Sequence, residues 1–493
     1  MVDPARDVVG HSGQGQTEGV QGDKWPADDA DFTADEILIR SVSGLIRISS
    51  ASKSASSAGP SGCASIQQPT GPTLLPDHDP TVEPDVLSID GSGPLRIHQP
   101  SSLPELCDLV RSAAGSGLGA YGVGGRTALD SGLPPTKPGF AVDTTALNQV
   151  IDYPARDMTI TLRAGITIGA IQTTLAREGQ WLPVDIPYPH RATLGGAVAL
   201  NQSGPRRFGS GTLRDYVIGI SFVTDDGDEV KAGGRVVKNV AGYDLMKLQT
   251  GAVGTLGIIT QLTLKVKPKP ETAALVSFAC DGAALATVFD LLHTSTSRPG
   301  AVEVLNAPAV RAAGLTVPRG EWAFLVGFEE KAATVDWQVS TLLGELKAAP
   351  VRDVTEARGP TTVWQTVTDF QRRPGSRLIG KLNVPPSRAA EVLRAATSSV
   401  PYYAHAEPLN GIIWLHAPDY VPTGPTDPRL MATQQAATSV GGNFCWLRCP
   451  NDWKTTLAVW GQPTGDRELM RQVKRALDPK SVFNPGRLFG DLL

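Results

Sequence analysis

Residues 251–260 read GAVGTLGIIT, in which three glycines at a spacing of three lead directly into a β-branched strand. Glycine at such positions indicates a backbone that needs positive φ, or one against which another group must lie closely. An ordinary turn before a strand would use the same residues. The meaning of this stretch therefore depends on whether the rest of the chain builds a pocket around it.

Two further segments are dense in glycine. YGVGGRTALDSG spans residues 121–132, and DIPYPHRATLGGAVALNQSGPRRFGSGTLRD spans residues 185–215. Each segment alone is compatible with a surface turn, but three such loops in one chain favour a shared role. We therefore predict that the three loops line one binding pocket.

The first of these segments passes from a strand into a loop, and no amphipathic helix follows it. This excludes a Rossmann fingerprint, whose glycines open a helix, and the segment also lacks the Gly-Lys-Ser/Thr end of a P-loop. Consecutive glycines followed by Arg126 and Thr127 would present several free backbone N–H groups. Such a nest favours an anionic diphosphate.

The second segment places Thr193 at the N-cap of a short helix whose first turn contains Gly195 and Gly196. The N–H groups at a helix start and the helix dipole favour an anion or a carbonyl oxygen. This segment therefore predicts a second wall of the same pocket.

Composition limits the remaining classes of function. The chain has 493 residues, 41% of them hydrophobic, which is enough for two domains. A net charge of −4 argues against nucleic acid as a partner, and no apolar run is long enough to span a bilayer. The N-terminus lacks the apolar core of a secretory signal. Five scattered cysteines fit a reducing cytoplasm, and Cys445 and Cys449 are interpreted as ordinary cysteines rather than metal ligands.

The chain divides into four regions. Residues 1–85 are rich in Ser, Gly, Pro and Asp, which predicts low-complexity disorder. Residues 86–270 alternate helices with short strands, which predicts a mixed α+β domain. Residues 271–465 predict a smaller α+β domain built as an antiparallel sheet with helices on one face. Residues 466–493 predict a C-terminal helix and a tail that returns to the first domain.

Over residues 90–270 and the tail LDPKSVFNPGRL, the chain resembles the PCMH-type flavoproteins, also called the vanillyl-alcohol oxidase type. The segment 121–132 is similar to the pyrophosphate loop of that family. The segment 185–215 is similar to the family's Pro…Thr-x-Gly-Gly…Asn-x-x-Gly stretch. Residues 251–260 are similar to its Gly-x-x-Gly-x-Leu-Gly-Ile-Ile-Thr signature. The resemblance implies a two-subdomain FAD-binding domain followed by a cap domain.

The resemblance also implies a set of cofactor-binding residues. The pyrophosphate loop corresponds to Val123, Gly124, Gly125, Arg126 and Thr127. The flavin and ribityl side corresponds to Pro187, Thr193, Gly195, Gly196, Asn201 and Gly204. The remaining contacts fall on Gly251, Gly254, Gly257, Ile258, Ile259 and Asn484. Arg206 is either a pocket donor or a charge on its loop.

Covalent members of the family carry a histidine directly after the Gly-Gly of the first loop. This chain has Arg126 there, so the resemblance implies non-covalent FAD. Hydroxy-acid dehydrogenases of the family carry a histidine pair near a Gly-Asp-Gly-Asn-x-His segment of the cap. The stretch YYAHAEPLNGIIWLHAPD keeps His405 and His416 but lacks the Gly-Asp-Gly core. The two histidines are therefore candidates for catalysis, with packing as the alternative, and no metal site is expected.

The outline of the chain is similar to the smaller FAD-binding subunits of bacterial glycolate oxidases. This implies a subunit of a complex that oxidises glycolate to glyoxylate and passes electrons from flavin to an acceptor. The implied partners are a related FAD-containing subunit and an iron–sulfur subunit, in the cytoplasm or at the inner membrane through the complex. The alternatives are a stand-alone FAD-dependent D-2-hydroxy acid dehydrogenase of the D-lactate type and a non-catalytic flavin-binding structural subunit.

Overall fold

The computed structural model describes residues 86–235, 243–418, 420, 422–488 and 490. The region 1–85, for which the sequence predicts disorder, lies outside the described residues. The mixed α+β class predicted from the sequence is confirmed by the elements that follow.

The chain opens with a four-stranded sheet in the order β1-β2-β4-β3. Its elements are β1 Val86–Ile89, β2 Ser92–His98, α1 Leu103–Gly115, β3 Gly119–Val123 and β4 Gly139–Asp143. Helix α1 begins at an N-cap serine, Ser102, and has a proline in its first turn. Leu106 and Val110 of α1 pack on the sheet. Because β3 and β4 are parallel, the glycine loop leaves the sheet at its C-terminal edge.

A five-stranded antiparallel sheet follows in the order β5-β6-β10-β8-β9, accompanied by the small pair β7–β11. The strands are β5 Val150–Asp152, β6 Thr159–Arg163, β7 Gln180–Trp181, β8 Val217–Val223, β9 Glu229–Gly233, β10 Ile258–Lys265 and β11 Lys267–Pro268. The helices are α2 Ile168–Ala176, α3 Leu194–Leu200, α4 Arg207–Ser210, α5 Leu213–Tyr216 and α6 Leu245–Gln249. A hairpin at residues 224–229 connects β8 to β9, and its sequence TDDGDE carries the turn residues for it. The glycine-rich loop at 251–257 therefore feeds β10, the central strand of this sheet.

The cap domain is an eight-stranded antiparallel sheet in the order β15-β12-β14-β13-β17-β18-β16-β19 within the described residues. Its strands are β12 Thr272–Cys280, β13 Ala301–Asn306, β14 Trp322–Glu330, β15 Arg352–Arg358, β16 Ile379–Asn383, β17 Tyr403–Glu407, β18 Ile412–His416 and β19 Asn443–Arg448. Its helices are α7 Leu285–Thr294, α8 Ala307–Ala312, α9 Ala332–Leu346, α10 Val363–Phe370, α11 Ala389–Ser399 and α12 Pro428–Thr438.

Both faces of the cap sheet carry helices, which corrects the prediction of helices on one face. Alternate residues of each strand point to opposite faces, so each face has its own core. Helices α7, α9, α11 and α12 pack on one face around Phe324 and Val326. Helices α8 and α10 pack on the other face around Leu325 and Trp364. This second face is directed toward the first domain.

The C-terminal helix α13, Asp466–Leu477, and the tail return to the first domain. The buried Lys474 ammonium donates to the carbonyl oxygens of Thr255 (2.7 Å) and Phe483 (3.1 Å) and pairs with Asp478. Phe483 also forms an isolated parallel bridge with Ala120 of β3. These contacts hold the tail between the loop 251–257 and the first sheet.

Hydrogen bonds and ion pairs join the cap to the first domain. The Tyr188 N–H donates to Asp369 (2.6 Å), and Gln371 donates to the carbonyl oxygen of Ser203 (3.1 Å). The Gly209 N–H donates to the carbonyl oxygen of Gly300 (3.0 Å). Among the described residues, none of the helices has both the length and the apolar character needed to cross a bilayer.

Candidate functional site

A cleft of about 970 Å³, open to solvent, lies where the two sheets of the first domain meet the tail. Its wall is formed by the loop after β3, the helix α3, the start of β10 with its preceding loop, and the tail. The lining residues from these segments are residues 122–129, Ser131, Thr193, Gly195, Gly196, Ala197, Ala199, Leu200, Gln202, Val253, Gly254, Gly257, Ile258, Ile259, Asn484 and Arg487. The three glycine-dense segments thus meet at one site, as the sequence predicts.

The loop after β3 presents its backbone to the cleft. Within the described residues, the N–H groups of Gly124, Gly125, Arg126 and Thr127 have no protein acceptor. The Arg126 guanidinium pairs with Asp143 (3.0 Å), and Arg126 itself has positive φ (55°). Four free N–H groups in succession form a nest that suits an anion.

Gly125 is required by close packing rather than by positive φ. A Cβ on Gly125 would lie 1.7 Å from the carbonyl oxygen of Arg191, and a Cβ on Gly124 would lie 2.1 Å from Thr193 Oγ1. Neither glycine has positive φ. A side chain at Gly125 would therefore collide first with the segment that leads into α3.

The start of α3 differs from the sequence prediction in one respect. Its N–H groups are already used by the protein, because Leu194 donates to Ile166, Gly195 to the carbonyl oxygen of Ala164 (2.8 Å) and Gly196 to Thr193 Oγ1 (3.3 Å). Thr193 caps the helix as predicted. The helix start consequently contributes wall and close packing to the cleft, and it does not offer a free anion site.

The loop at residues 251–257 adopts the glycine-specific backbone that its sequence predicts. Gly251, Gly254 and Gly257 have φ of 84°, 64° and 150°. Val253 between them also has positive φ (55°), which is rare for a β-branched residue. Its carbonyl oxygen accepts a hydrogen bond from Asn484 Nδ2 (2.8 Å). Strained backbone of this kind is typical of ligand sites.

Five of the residues assigned to the cofactor from the sequence do not line the cleft: Pro187, Asn201, Gly204, Arg206 and Gly251. Gly204 instead packs against Asp185 and Thr368 of the cap. Asn201 is the left-handed C-cap of α3, with φ of 47°. These five positions belong to segments next to the cleft and do not face it.

Arg206 forms an ion pair between the two domains. Of its two interpretations, the structure therefore supports a charge on its loop and not a donor in the pocket. Its guanidinium contacts Asp185 (2.5 Å) and Glu329 of the cap (2.7 Å). Burial opposes the charge, but the two carboxylates outweigh burial and raise the pKa of Arg206. The side chain therefore joins the two domains and stays charged.

Arg487 is a cleft residue that the sequence analysis missed. Its guanidinium donates to the carbonyl oxygens of Leu129 (2.5 Å), Ser131 (2.5 Å) and Leu133 (2.6 Å) and pairs with Asp90. The tail thereby fixes the far half of the β3 loop. A buried arginine at the end of a chain has no periodicity that would reveal such a role from sequence.

The cap face directed toward the first domain carries a polar cluster. We call Lys381, Glu407, Glu303, His405 and His416 the cap cluster. In the sheet register, Lys381 is opposite Trp414, and Trp414 is opposite His405. The Lys381 ammonium lies over the Trp414 ring, 5.0 Å from its centroid.

The two candidate histidines lie at the bottom of this cluster and are fully buried. His405 Nδ1 contacts Glu303 Oε1 (2.7 Å), and His405 Nε2 lies 3.4 Å from His416 Nε2. Burial lowers the pKa of His405 to about 3 and that of His416 well below its ordinary value. Both are neutral at physiological pH, and in the described residues no group of three or more potential ligands is arranged for a metal.

Lys381 and Glu407 were not singled out from the sequence. Burial and the neighbouring Glu303 raise the pKa of Glu407, and Lys381 and Arg207 oppose this rise. Burial also lowers the pKa of Lys381. Each of the two is a charged residue at an inward-facing position of a strand that otherwise alternates apolar residues, as in IGKLN and YAHAE. That pattern could have identified both residues from the sequence.

The loop after α3 links the cleft wall to the cap cluster. Gln202 lines the cleft, the Ser203 hydroxyl lies 3.4 Å from Arg207 Nη1, and the charge of Arg207 acts on the pKa values of Lys381 and Glu407. Among the described residues, no member of the cap cluster itself lines the cleft.

A dinucleotide with a diphosphate fits the cleft. In the described residues its charged lining consists of Arg126 and Arg487, with no aspartate or glutamate. The nest matches the diphosphate, and the close approach of backbone at Gly125 and Gly257 leaves room that a Cβ would fill. FAD meets these requirements.

Comparison with known proteins agrees with this fit. The FAD binding domain family matches residues 94–233, and the C-terminal domain of FAD linked oxidases matches residues 463–488. Over these two segments the chain is similar to FAD-linked oxidases. It is an FAD-dependent oxidoreductase, and FAD is its cofactor.

Among the similar proteins is glycolate oxidase subunit GlcD of Bacillus subtilis, 26% identical over 74% of this chain and 83% of that protein. Glycolate oxidase subunit GlcE of Escherichia coli is 40% identical over 29% of this chain and 40% of that protein. D-lactate dehydrogenase of Archaeoglobus fulgidus is 26% identical over 79% of this chain and 90% of that protein.

A solved structure of alkyldihydroxyacetonephosphate synthase shares the fold of this oxidase. The TM-score is 0.59 at 19% identity, over 80% of this chain and 77% of that one. At this identity the likeness concerns the fold alone.

Proposed function

We propose that the chain oxidises a small 2-hydroxy acid as an FAD-binding subunit of a multi-subunit glycolate oxidase. The observation that carries the proposal is the loop after α3, which lines the cleft at Gln202 and leads to Arg207, whose charge acts on Lys381 and Glu407 of the cap. A glycolate oxidase subunit and a D-lactate dehydrogenase among the relatives support the substrate class.

Lys381 and Arg207 provide the positive charge that a hydroxy acid needs for binding. The substrate carries one carboxylate next to its hydroxyl-bearing carbon. An arginine fork and a lysine ammonium together can bind that carboxylate and fix the orientation of the adjacent carbon. Lys381 is partly exposed, and its ammonium lies over the Trp414 ring.

Glu407 is the residue suited to accept the hydroxyl proton. Burial and Glu303 raise the pKa of Glu407 to about 8, so the carboxylate form that accepts a proton becomes more populated as the pH rises toward 8. Its Oε1 is buried and has no hydrogen-bond partner among the described residues. Bound FAD would supply the acceptor for the two electrons.

The FAD would be held without a covalent bond. No histidine or cysteine lines the cleft in the described part of the chain, and the position after Gly125 is Arg126, whose guanidinium is paired with Asp143. Acid precipitation of the purified protein should release yellow flavin into the supernatant. Flavin that remained with the pellet would overturn this part of the proposal.

The substrate site is tested with Lys381→Met and Arg207→Met. Loss of a charged hydrogen bond costs about 1.5–3 kcal/mol, so each variant should raise KM by about tenfold to a hundredfold while FAD content stays constant. Lys347→Met, on an exposed lysine at the end of α9, is the control. Unchanged KM in both variants would place the substrate elsewhere.

The subunit role is tested by adding a related FAD-containing subunit and an iron–sulfur subunit to the purified chain. We expect slow turnover of glycolate by the lone chain and fast turnover by the assembly, which could also associate peripherally with the inner membrane. The D-lactate dehydrogenase relative, aligned over 90% of its length, makes a stand-alone dehydrogenase the second candidate. Full activity of the lone chain would favour it.

A further inference from the structure

A group of arginines lies at the surface where the cap meets the β3 loop. We call Arg191, Arg373, Arg377 and Arg448 the rim patch. Arg191 and Arg377 are exposed, and Arg373 and Arg448 are half-buried, so all four guanidinium groups are within reach of solvent. None of the four belongs to the N–H nest or to the residues proposed to bind substrate.

Contacts on the first domain place the rim patch beside the cleft. Arg191 Nη2 donates to the carbonyl oxygen of Gly125 (3.4 Å), and Gly125 lines the cleft. Arg448 pairs with Asp130, which precedes the cleft residue Ser131. The Asp130 side chain is 29% exposed. The patch therefore borders the cleft wall on the side of the β3 loop and opens to solvent there.

Contacts on the cap join the members of the patch to one another. Arg448 Nη1 donates to the carbonyl oxygens of Arg373 (2.9 Å) and Ser376 (3.2 Å), which fixes the loop that carries Arg377. The Arg373 guanidinium lies over the Tyr403 ring, 5.2 Å from its centroid. These contacts hold the cap side of the patch in one place.

Tyr188 lies between the two sides of the patch. Its hydroxyl donates to the carbonyl oxygen of Arg372 on the cap (3.2 Å), and its own carbonyl oxygen accepts from the Arg191 N–H (2.9 Å). Burial raises the pKa of the Tyr188 phenol to about 12, and the charges of Arg448 and Arg191 oppose this rise. One phenol is thus influenced by guanidinium groups from both domains.

The rim patch carries more positive charge than its surroundings neutralise. Asp130 is shared between Arg448 and the buried Arg372, whose Nη1 lies 3.5 Å from Asp130 Oδ1. Within the described parts of the chain, the other three members of the patch form no ion pair. The whole chain has a net charge of −4, so this surplus is local and opposite in sign. A concentrated positive surface attracts a partner that presents negative charge.

We propose that the rim patch is the docking surface for the electron acceptor, and that the acceptor presents negative charge to it. The inference goes beyond the proposed function, because it concerns how electrons leave reduced FAD, whichever substrate supplied them. Each of two one-electron acceptors gains one electron, FADH₂ returns to FAD, and its two hydrogens leave as protons to solvent.

The position of the patch favours an electron acceptor over an anionic membrane. An acceptor has to approach the cofactor, and the patch borders the wall of the cleft that FAD fits. Charge complementarity raises the rate of encounter by about 10–10³-fold at low salt.

The test uses ferricyanide, a trianion, as the acceptor probe. The holoprotein is reduced photochemically without oxygen or substrate, and reoxidation is measured per bound flavin. Arg377→Glu should lower the second-order rate constant by about tenfold, and Arg191→Glu with Arg377→Glu should lower it further. Arg394→Glu is the matched control, since Arg394 is an exposed arginine of α11 on the opposite face of the cap. It should stay within twofold of wild type.

Salt and the sign of the probe separate docking from other effects. The difference between wild type and the double variant should vanish toward 1 M salt, because the screening length falls from about 30 Å at 0.01 M to about 3 Å at 1 M. A ferrocenium cation should oxidise the variants at least as fast as wild type.

Three results would overturn the proposal. One is a ferricyanide rate constant in the double variant within twofold of Arg394→Glu. Another is equal slowing with ferrocenium, which would indicate an altered flavin. The third is loss of binding to phosphatidylserine vesicles with unchanged ferricyanide kinetics, which would assign the patch to a membrane. Failure of every 2-hydroxy acid to reduce the flavin would contradict the proposed function alone, because this test reduces the flavin without substrate.

Discussion

Gly125 lies against the backbone that leads into α3, with no space for a side chain. Gly115, at the exposed end of α1 and away from the cleft, has no atom within 4 Å of where its Cβ would lie. We expect Gly125→Ala to shift the N–H nest, release FAD and destabilise the fold by about 1–3 kcal/mol, as overpacking does. Gly115→Ala should keep both FAD and stability. Flavin content measures FAD binding, and urea unfolding measures stability. Wild-type affinity for FAD in Gly125→Ala would show that the diphosphate lies elsewhere.

His416 makes stability depend on pH. Its pKa is lower in the folded chain than the unfolded value of about 6.5, so it gains a proton only on unfolding, and stability falls as pH drops below about 6.5. Relative to His416→Gln, wild type should lose about 1.4 kcal/mol per pH unit between about pH 6.5 and pH 5. Unfolding curves at several pH values measure this difference. Parallel curves would show that His416 keeps its ordinary pKa.

At the scale of elements, the tail and the β3 loop act together through Arg487. Removing one partner of a buried ion pair costs about 3–5 kcal/mol, and here it also frees three carbonyl oxygens of residues 129–133. We expect Arg487→Met to lower stability by this amount and to weaken FAD binding. Arg475→Met, at an exposed position on α13, should change neither. FAD titration measures the affinity for FAD, and unfolding curves measure the stability of both variants. Undiminished FAD affinity in Arg487→Met would show that the tail does not support FAD binding in the cleft.

The elements of the first domain were largely predictable because local signals define them. Gly251, Gly254 and Gly257 predict a loop of positive φ, and Thr193 predicts the start of a helix. The hairpin at 224–229 contains its own turn residues. These signals depend on residues close in sequence.

The cap face was less predictable because its chemistry arises from strand register. Lys381 and Glu407 come from strands separated by β18 in the sheet, and Glu303 is brought opposite Glu407 from about a hundred positions away. No local pattern encodes such pairing. For the same reason the helices α8 and α10 on the inner face, and the role of Arg206 between domains, could not be read from the sequence.

At the scale of the whole molecule, Arg206 couples the two domains. Its guanidinium contacts Asp185 of the first domain and Glu329 of the cap, and all three side chains are mostly buried. We expect Arg206→Met to destabilise the protein by about 3–5 kcal/mol, because two buried carboxylates lose their partner. Arg214→Met, elsewhere in the first domain, is the comparison. If Arg206→Met unfolds in a single transition at the same midpoint as wild type, this coupling is contradicted.

The central claim is that the cleft holds FAD with its active end beside the cap cluster, where a 2-hydroxy acid is oxidised. The most direct measurement is anaerobic mixing of the purified holoprotein with excess glycolate or D-lactate, followed through the visible absorption of oxidised flavin. We expect the absorption to bleach with a 2-hydroxy acid and to persist with acetate or propionate, which lack the hydroxyl. Lys381→Met should require higher substrate concentrations. Full FAD occupancy without bleaching by any 2-hydroxy acid would contradict the account.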